Sequence, residues 1–121
     1  MLSKTQYIGQ RAEQQACDYL LHQGLKIVEY NFRCNMGEID LIMRDKDLLV
    51  FVEVRARKKN QFANGLESVT FTKQRRILRT AVYYLQKNRL TDKVACRFDI
   101  VAITLNTSSP TLCWTKDAFR P

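Results

Sequence analysis

Gly37-Glu38-Ile39-Asp40-Leu41-Ile42-Met43-Arg44-Asp45-Lys46-Asp47-Leu48-Leu49-Val50-Phe51-Val52-Glu53-Val54-Arg55-Ala56-Arg57 is the stretch that decides the fold. Two largely apolar runs, Ile39 to Arg44 and Leu48 to Arg57, flank one polar break, Arg44 to Asp47, which reads as a β-hairpin. A two-residue loop of Lys46 and Asp47, or a four-residue loop ending at Leu48, pairs Arg44 with Leu49 and, counting back, Asp40 with Glu53. Leu41, Met43, Val50, Val52 and Val54 then fill one face, while Ile42, Leu49 and Phe51 share the other with Asp40 and Glu53. Apolar residues on both faces predict a central strand pair covered by helices.

Directly opposed side chains in an antiparallel pair have Cβ atoms about 5 Å apart, and like charges there repel. Two carboxylates so placed in a partly dry site need a cation between them or a shared proton. The economical candidate is a hard divalent ion, Mg²⁺ or Mn²⁺, on oxygen ligands. Such an ion lowers the pKa of its water, neutralises charge developing on a phosphate and aligns the attack. Arg55, two residues beyond Glu53, projects from the same strand face, where a guanidinium steadies a pentavalent state. The bland alternative is an ordinary Glu53–Arg55 ion pair on a sheet surface, against which the apolar neighbours on both faces weigh.

Outward from the hairpin, Ser3 or Lys4 to Gln23 reads as a helix with Ala12, Ala16, Tyr19 and Leu20 on one face, Glu13 on its flank and Gly24 as its stop. Leu25 to Phe32 is a first strand, and Arg33 to Gly37 a short polar link that positions Glu38. Downstream, Lys58 to Val69, with Asn60, Asn64, Gly65 and Ser68, reads as a mobile loop, a lid or substrate-contacting segment. Thr70 to Asn88 forms a second helix with Ile77, Leu78, Ala81, Val82, Tyr84 and Leu85 as its apolar stripe and Arg75, Arg76, Arg79 and Lys87 on the opposite arc. Arg97 to Leu105 alternates as a strand, Asn106 to Pro110 turns, and Leu112 to Trp114 makes a last edge strand. The order α-β-β-β-α-β-β predicts a single α/β domain, a mixed central sheet of about five strands flanked by two main helices.

The composition agrees with a phosphate-directed protein. At 121 residues and 45% hydrophobic content the chain is long enough for a real core, which excludes disorder. Twenty Lys and Arg against 12 Asp and Glu give a net charge of +8 and a pI of about 9.6, favouring a polyanionic partner, although many basic proteins bind none. Cys17, Cys34, Cys96 and Cys113 show no C-x-x-C pair and no histidine at zinc spacing, which argues against a zinc site and a disulfide framework and for reduced, mostly buried thiols in the cytoplasm. Met1 to Tyr7 lacks the apolar core of a signal peptide, and no run approaches the roughly 20 apolar residues of a membrane span.

Gln74 falls in the middle of the second helix's stripe, and a buried amide there needs partners. It either points into the carboxylate pocket to hold water, metal or phosphate, or caps a helix or sheet end. Glu38 shares the parity of Asp40, and Asp99 breaks an apolar strand in a way that a structural hydrogen bond explains equally well. Arg57, Lys58, Lys59, Arg75, Arg76 and Arg79 would rim the pocket if the loop and second helix lie beside the hairpin end, with Lys73 at the start of that helix. Phosphate contacts of this kind give affinity without sequence specificity and weaken with salt, though a solvated face is the commoner role for any one arginine. His22 has no assigned role, and the aromatics, Trp114 included, read as core or sheet packing rather than a base-stacking platform.

Gly9 to Glu13, Gly37-Glu38-Ile39-Asp40-Leu41-Ile42, Val50-Phe51-Val52-Glu53-Val54-Arg55-Ala56-Arg57, Lys73-Gln74-Arg75-Arg76 and Arg97-Phe98-Asp99-Ile100-Val101-Ala102 together resemble the YraN-like bacterial family over nearly the whole chain. That resemblance implies a restriction-endonuclease-like core with the PD-(D/E)XK signature, similar to archaeal Holliday-junction resolvases. By position it implies that Asp40 is the metal-binding aspartate, Glu53 the second acid, Arg55 the occupant of the signature lysine position and Glu13 the acid from the first helix, with the metal set Asp40, Glu53 and Val54. Arg55 departs from the pattern, because an arginine stabilises charge but stays protonated and cannot serve as a base. Lys73 is the candidate for a migrated amine. The expected function is binding of branched DNA and its Mg²⁺- or Mn²⁺-dependent hydrolysis, with a homodimer implied by analogy with resolvases that cut two symmetric strands. Two alternatives differ in class: a non-catalytic nucleic-acid-binding module in which Arg55 grips a phosphate, and a basic domain that meets an acidic protein.

Overall fold

A computed structural model describes residues 2–57, 69–104, 108 and 111–121. Helix α1, Lys4–His22, begins where Ser3 accepts the Gln6 N–H while the Gln6 side chain returns to the Ser3 N–H, a reciprocal cap for two orphan donors. It ends at Gly24, whose φ of 99° is a left-handed conformation open to glycine. The strands are β1 (Lys26–Cys34), β2 (Gly37–Asp45), β3 (Leu48–Arg57), β4 (Cys96–Thr104) and β5 (Thr111–Thr115), and helix α2, Phe71–Lys87, is capped by the Thr70 side chain on the Lys73 N–H. The five strands form one sheet in the order β1-β2-β3-β4-β5, antiparallel except for the parallel pair β3–β4. The expected α/β architecture, element order and mixed sheet are all present.

Strand β3 is central because it is apolar on both faces. Val50 and Val52, with Leu41 and Met43, pack beneath the α1 residues Ala12, Ala16, Cys17 and Leu20. Leu49 and Phe51, with Ile42, join Ile77, Ala81 and Tyr84 of α2 in a second core on the opposite face. Phe51 stacks on Phe98 at 5.2 Å, and Phe98 on Phe119 at 5.2 Å, so the C-terminal residues close the α2-side core. Full burial of such a ring contributes about 1.5–3 kcal/mol. From Leu41 to Val54 the apolar side chains of the hairpin fall on the faces that the alternation predicts.

Several boundaries and contacts differ from expectation. Strand β1 runs two residues past Phe32, since Cys34 pairs with Gly37 across a turn of only Asn35 and Met36. Val82, expected in the α2 stripe, is exposed, and the buried residue there is Thr80, whose hydroxyl donates to the Arg76 carbonyl at 2.8 Å. Gly37 explains the close fit: a Cβ at that position would lie 3.1 Å from Thr80 Oγ1, and φ is 149°. The anticipated loop over 58–68 and most of the turn over 106–110 lie outside the described residues, as do Lys58 and Lys59. Asp99, fully buried, accepts the Arg97 Nε and Nη2 N–H groups, the Trp114 indole N–H and the Asp117 N–H, so its role is structural. Cys17 is buried, Cys34 and Cys96 half-buried and Cys113 exposed, all four unpaired. Among the described residues no helix is long and apolar enough to cross a membrane.

Candidate functional site

Regular pairing of β2 with β3 runs from Asp45 opposite Leu48 to Leu41 opposite Val52 and stops there. The direct Asp40–Glu53 pair expected from counting along the hairpin is therefore not formed. The cause is a break in alternation at Asp40: Leu41 sits in the α1-side core, yet Ile39, two residues earlier, sits in the α2-side core with Phe32. Across from it Asn31 takes φ 50°, and the β1–β2 ladder passes from Tyr30–Leu41 to Phe32–Ile39 around that level. The β1–β2 register is unbroken at that level, so the left-handed Asn31 and the lost alternation, and no slip of the strands, re-aim the side chain. The Asp40 carboxylate takes the place of a strand partner by accepting the Val54 N–H at 2.8 Å.

The two acids still meet. Asp40 and Glu53 are each only 8% exposed and lie within hydrogen-bonding reach of one another. Burial, then the Glu53 carboxyl beside it, pushes Asp40 well above the usual carboxylate range, against the opposing pull of the Val54 N–H and the Lys73 ammonium. Lys73 Nζ stands 3.2 Å from Glu53 Oε2, so α2 delivers the cation that closes the site. An ordinary Glu53–Arg55 pair is absent among the described residues. Arg55 is half-buried on the Glu53 side of β3.

On the other side, Glu13 of α1 is pushed up to about 7, first by burial and next by the Asp40 charge, while the Asn31 side chain bonded to it pulls the other way. Glu13 is therefore turned toward the acids and is more than a solvated flank residue. Glu38 stands apart, exposed and paired with Arg33 at 3.0 Å. Gln74 donates its amide to the Val69 carbonyl at 3.0 Å, the helix-end arrangement. The expected basic rim divides. Lys73 and Arg76 line a cleft of about 440 Å³ with Arg33, Glu38 and Gly37, whereas Arg75 and Arg79 line a separate groove with Met36, Leu78 and Val82. Arg57, at the end of β3, is already engaged in an interaction.

Asn31 and Arg33 escaped the sequence reading. Asn31 left a trace, a polar residue that tolerates left-handed φ interrupting a strand. Arg33 left none, because its position depends on the length of the Asn35-Met36 turn.

The donor set fits a hard divalent cation. Two dry carboxyls that otherwise need a proton between them are the oxygen ligands that Mg²⁺ or Mn²⁺ takes, with the Val54 backbone adjoining. Among the described residues no group of three or more His, Cys, Asp or Glu side chains forms a ready metal cage, and Mg²⁺ in particular keeps several waters and substrate oxygens instead.

Residues 12–103 match the family model described as Uncharacterised protein family UPF0102. The chain is 52% identical to a UPF0102 protein of Coxiella burnetii over 120 residues, 99% of this chain and 98% of the relative. It is 45% identical to one of Nitrosococcus oceani over 93% of this chain and 90% of that protein. With one of Legionella pneumophila the identity is 44% over 95% and 96%. Both the extent of these matches and their identity place the chain in one lineage: it belongs to the UPF0102 family.

Proposed function

We propose that this protein is a metal-dependent endonuclease of the restriction-endonuclease-like kind, acting on branched or otherwise structured DNA. The observation that carries the reading is the meeting of Asp40 and Glu53 in a dry position beside the Lys73 ammonium. Asp40 and Glu53, with the Val54 backbone, would hold Mg²⁺ or Mn²⁺. When bound, that ion supplies Lewis acidity and neutralises phosphate charge. Lys73 orients Glu53 and carries the positive charge that the signature lysine would bring, which Arg55 reinforces without acting as a base. Glu13, half ionised near pH 7, is matched to accepting a proton from water. Arg33 and Arg76 flank Lys73 along the cleft and are placed to grip phosphates.

The test is a cleavage panel of Holliday junction, flap, duplex and single-stranded DNA with RNA controls, in Mg²⁺ and in Mn²⁺. The expected result is cutting of junction or flap DNA that Asp40→Asn abolishes and Lys73→Ala lowers by about 10–100-fold, the usual range for a residue that orients a metal ligand. Binding with no cutting in either metal would overturn the enzyme and leave a non-catalytic module, the reading that Arg55 favours. Recovery of cutting by Arg55→Lys would identify a pocket that has lost its base.

A further inference from the structure

The aromatic side chains are not all core. Tyr7 on α1 is 55% exposed and Tyr30 on β1 is 53% exposed, and both line one cleft of about 370 Å³ whose remaining walls include Gln10, Arg11, Glu13 and Asn31. The volume lies at the small end of ligand pockets, which run from about 300 to 1,000 Å³. It has room for one nucleoside and none for a duplex. Tyr7, Gln10 or Arg11, and Gln14 recur three or four positions apart, so one face of α1 supplies an aromatic and a row of amide and guanidinium groups. Tyr30 is held from behind by the Cys17 thiol, 3.8 Å from its hydroxyl. The chemistry is that of unpaired-base recognition, a π-face for stacking with donors and acceptors at the ring edge.

Its place relative to the acids fixes which base would enter. Glu13 bonds to Asn31 in this cleft and senses the charge of Asp40, while Lys73, bonded to Glu53, lines the basic cleft with Arg33 and Arg76. The acid pair thus joins a basic cleft suited to phosphates and an aromatic cleft suited to a base.

Resting on the nucleic-acid reading above, we propose that the Tyr7–Tyr30 cleft receives one unpaired nucleobase next to the phosphate at Asp40 and Glu53, so the preferred substrate carries an unpaired nucleotide. The test uses fluorescein-labelled single-stranded DNA, followed by anisotropy in EDTA so that cleavage plays no part, beside the same oligonucleotide with abasic central positions. Wild type should bind the intact strand about tenfold more tightly than the abasic one, the order expected for stacking of one base. Tyr7→Ala and Tyr30→Ala should each erase that ratio by weakening the intact strand alone, while Tyr7→Phe keeps it. Equal wild-type binding to both strands, or a Tyr7→Ala variant that weakens both alike, overturns the base cleft and leaves the nuclease reading standing. A wild type that binds neither strand overturns the base cleft as well, while the junction and flap cleavage panel decides the nuclease reading.

Discussion

Asp40 is held in the form that water would not choose. Buried beside Glu53, its carboxyl stays protonated to a higher pH in the folded protein than in the unfolded chain, so between those two pKa values the folded state binds the extra proton. Stability therefore falls as pH rises through that window, by about 1.4 kcal/mol for each unit of displacement. Asparagine mimics the protonated acid: its Oδ1 accepts the Val54 N–H and its amide donates to Glu53. In EDTA, Asp40→Asn should melt above wild type at pH 8, with the gap closing toward pH 4. Mn²⁺ should raise the wild-type melting temperature and leave the variant unmoved. A variant that melts below wild type at pH 8 would mean that Asp40 is ionised and paired there, with no need of a cation. The nearby Glu13 follows the same sign with its window between about 4.5 and 7.

At the scale of elements, the site exists because β2 begins against α2 and then breaks stride. Gly37 lets the strand start within van der Waals reach of Thr80 and Arg76, and the break in alternation at Asp40 turns the carboxylate toward Val54. Gly37→Ala adds a methyl 3.1 Å from Thr80 Oγ1 at a φ that L-residues avoid, and is expected to cost about 1–3 kcal/mol in urea denaturation. Thr80→Ala should recover only the steric part of that loss, a coupling that a double-mutant cycle reads directly. Strictly additive losses would place the strain in the backbone alone. The α2 stripe carries the same lesson. Val82 fits the helical period but stays exposed, while Thr80, which meets Gly37 of β2, is the buried position.

For the whole molecule, Asp99 is the tie that holds the far half of the sheet. Its carboxylate joins Arg97, Trp114 of β5 and the Asp117 backbone, and Arg97 reaches on to Asp45 at the end of β2. Removing one partner of a buried ion pair strands the other, so Asp99→Asn should lower stability by about 3–5 kcal/mol, read from the urea midpoint with Trp114 fluorescence as probe. A loss below about 1 kcal/mol would reduce the network to the level of exposed surface pairs. The hairpin, both helices and the Gly24 stop were legible in the chain because each is a local pattern: a polar break between apolar runs, an apolar stripe at helical spacing, a glycine after the first of them. The meeting of Asp40 with Glu53 was legible only as proximity. Its geometry depends on the lost alternation at Asn31 and Asp40, which no period reveals. The sequence by itself determined the α/β order, the two-faced central strand and the identity of the acids, since these follow from side-chain type and spacing. Only the tertiary structure decided that Lys73 closes on Glu53, that Glu13 leans toward Asp40 and that Tyr7 and Tyr30 share a cleft, because each joins residues far apart in the chain through packing, burial and a local break in side-chain alternation.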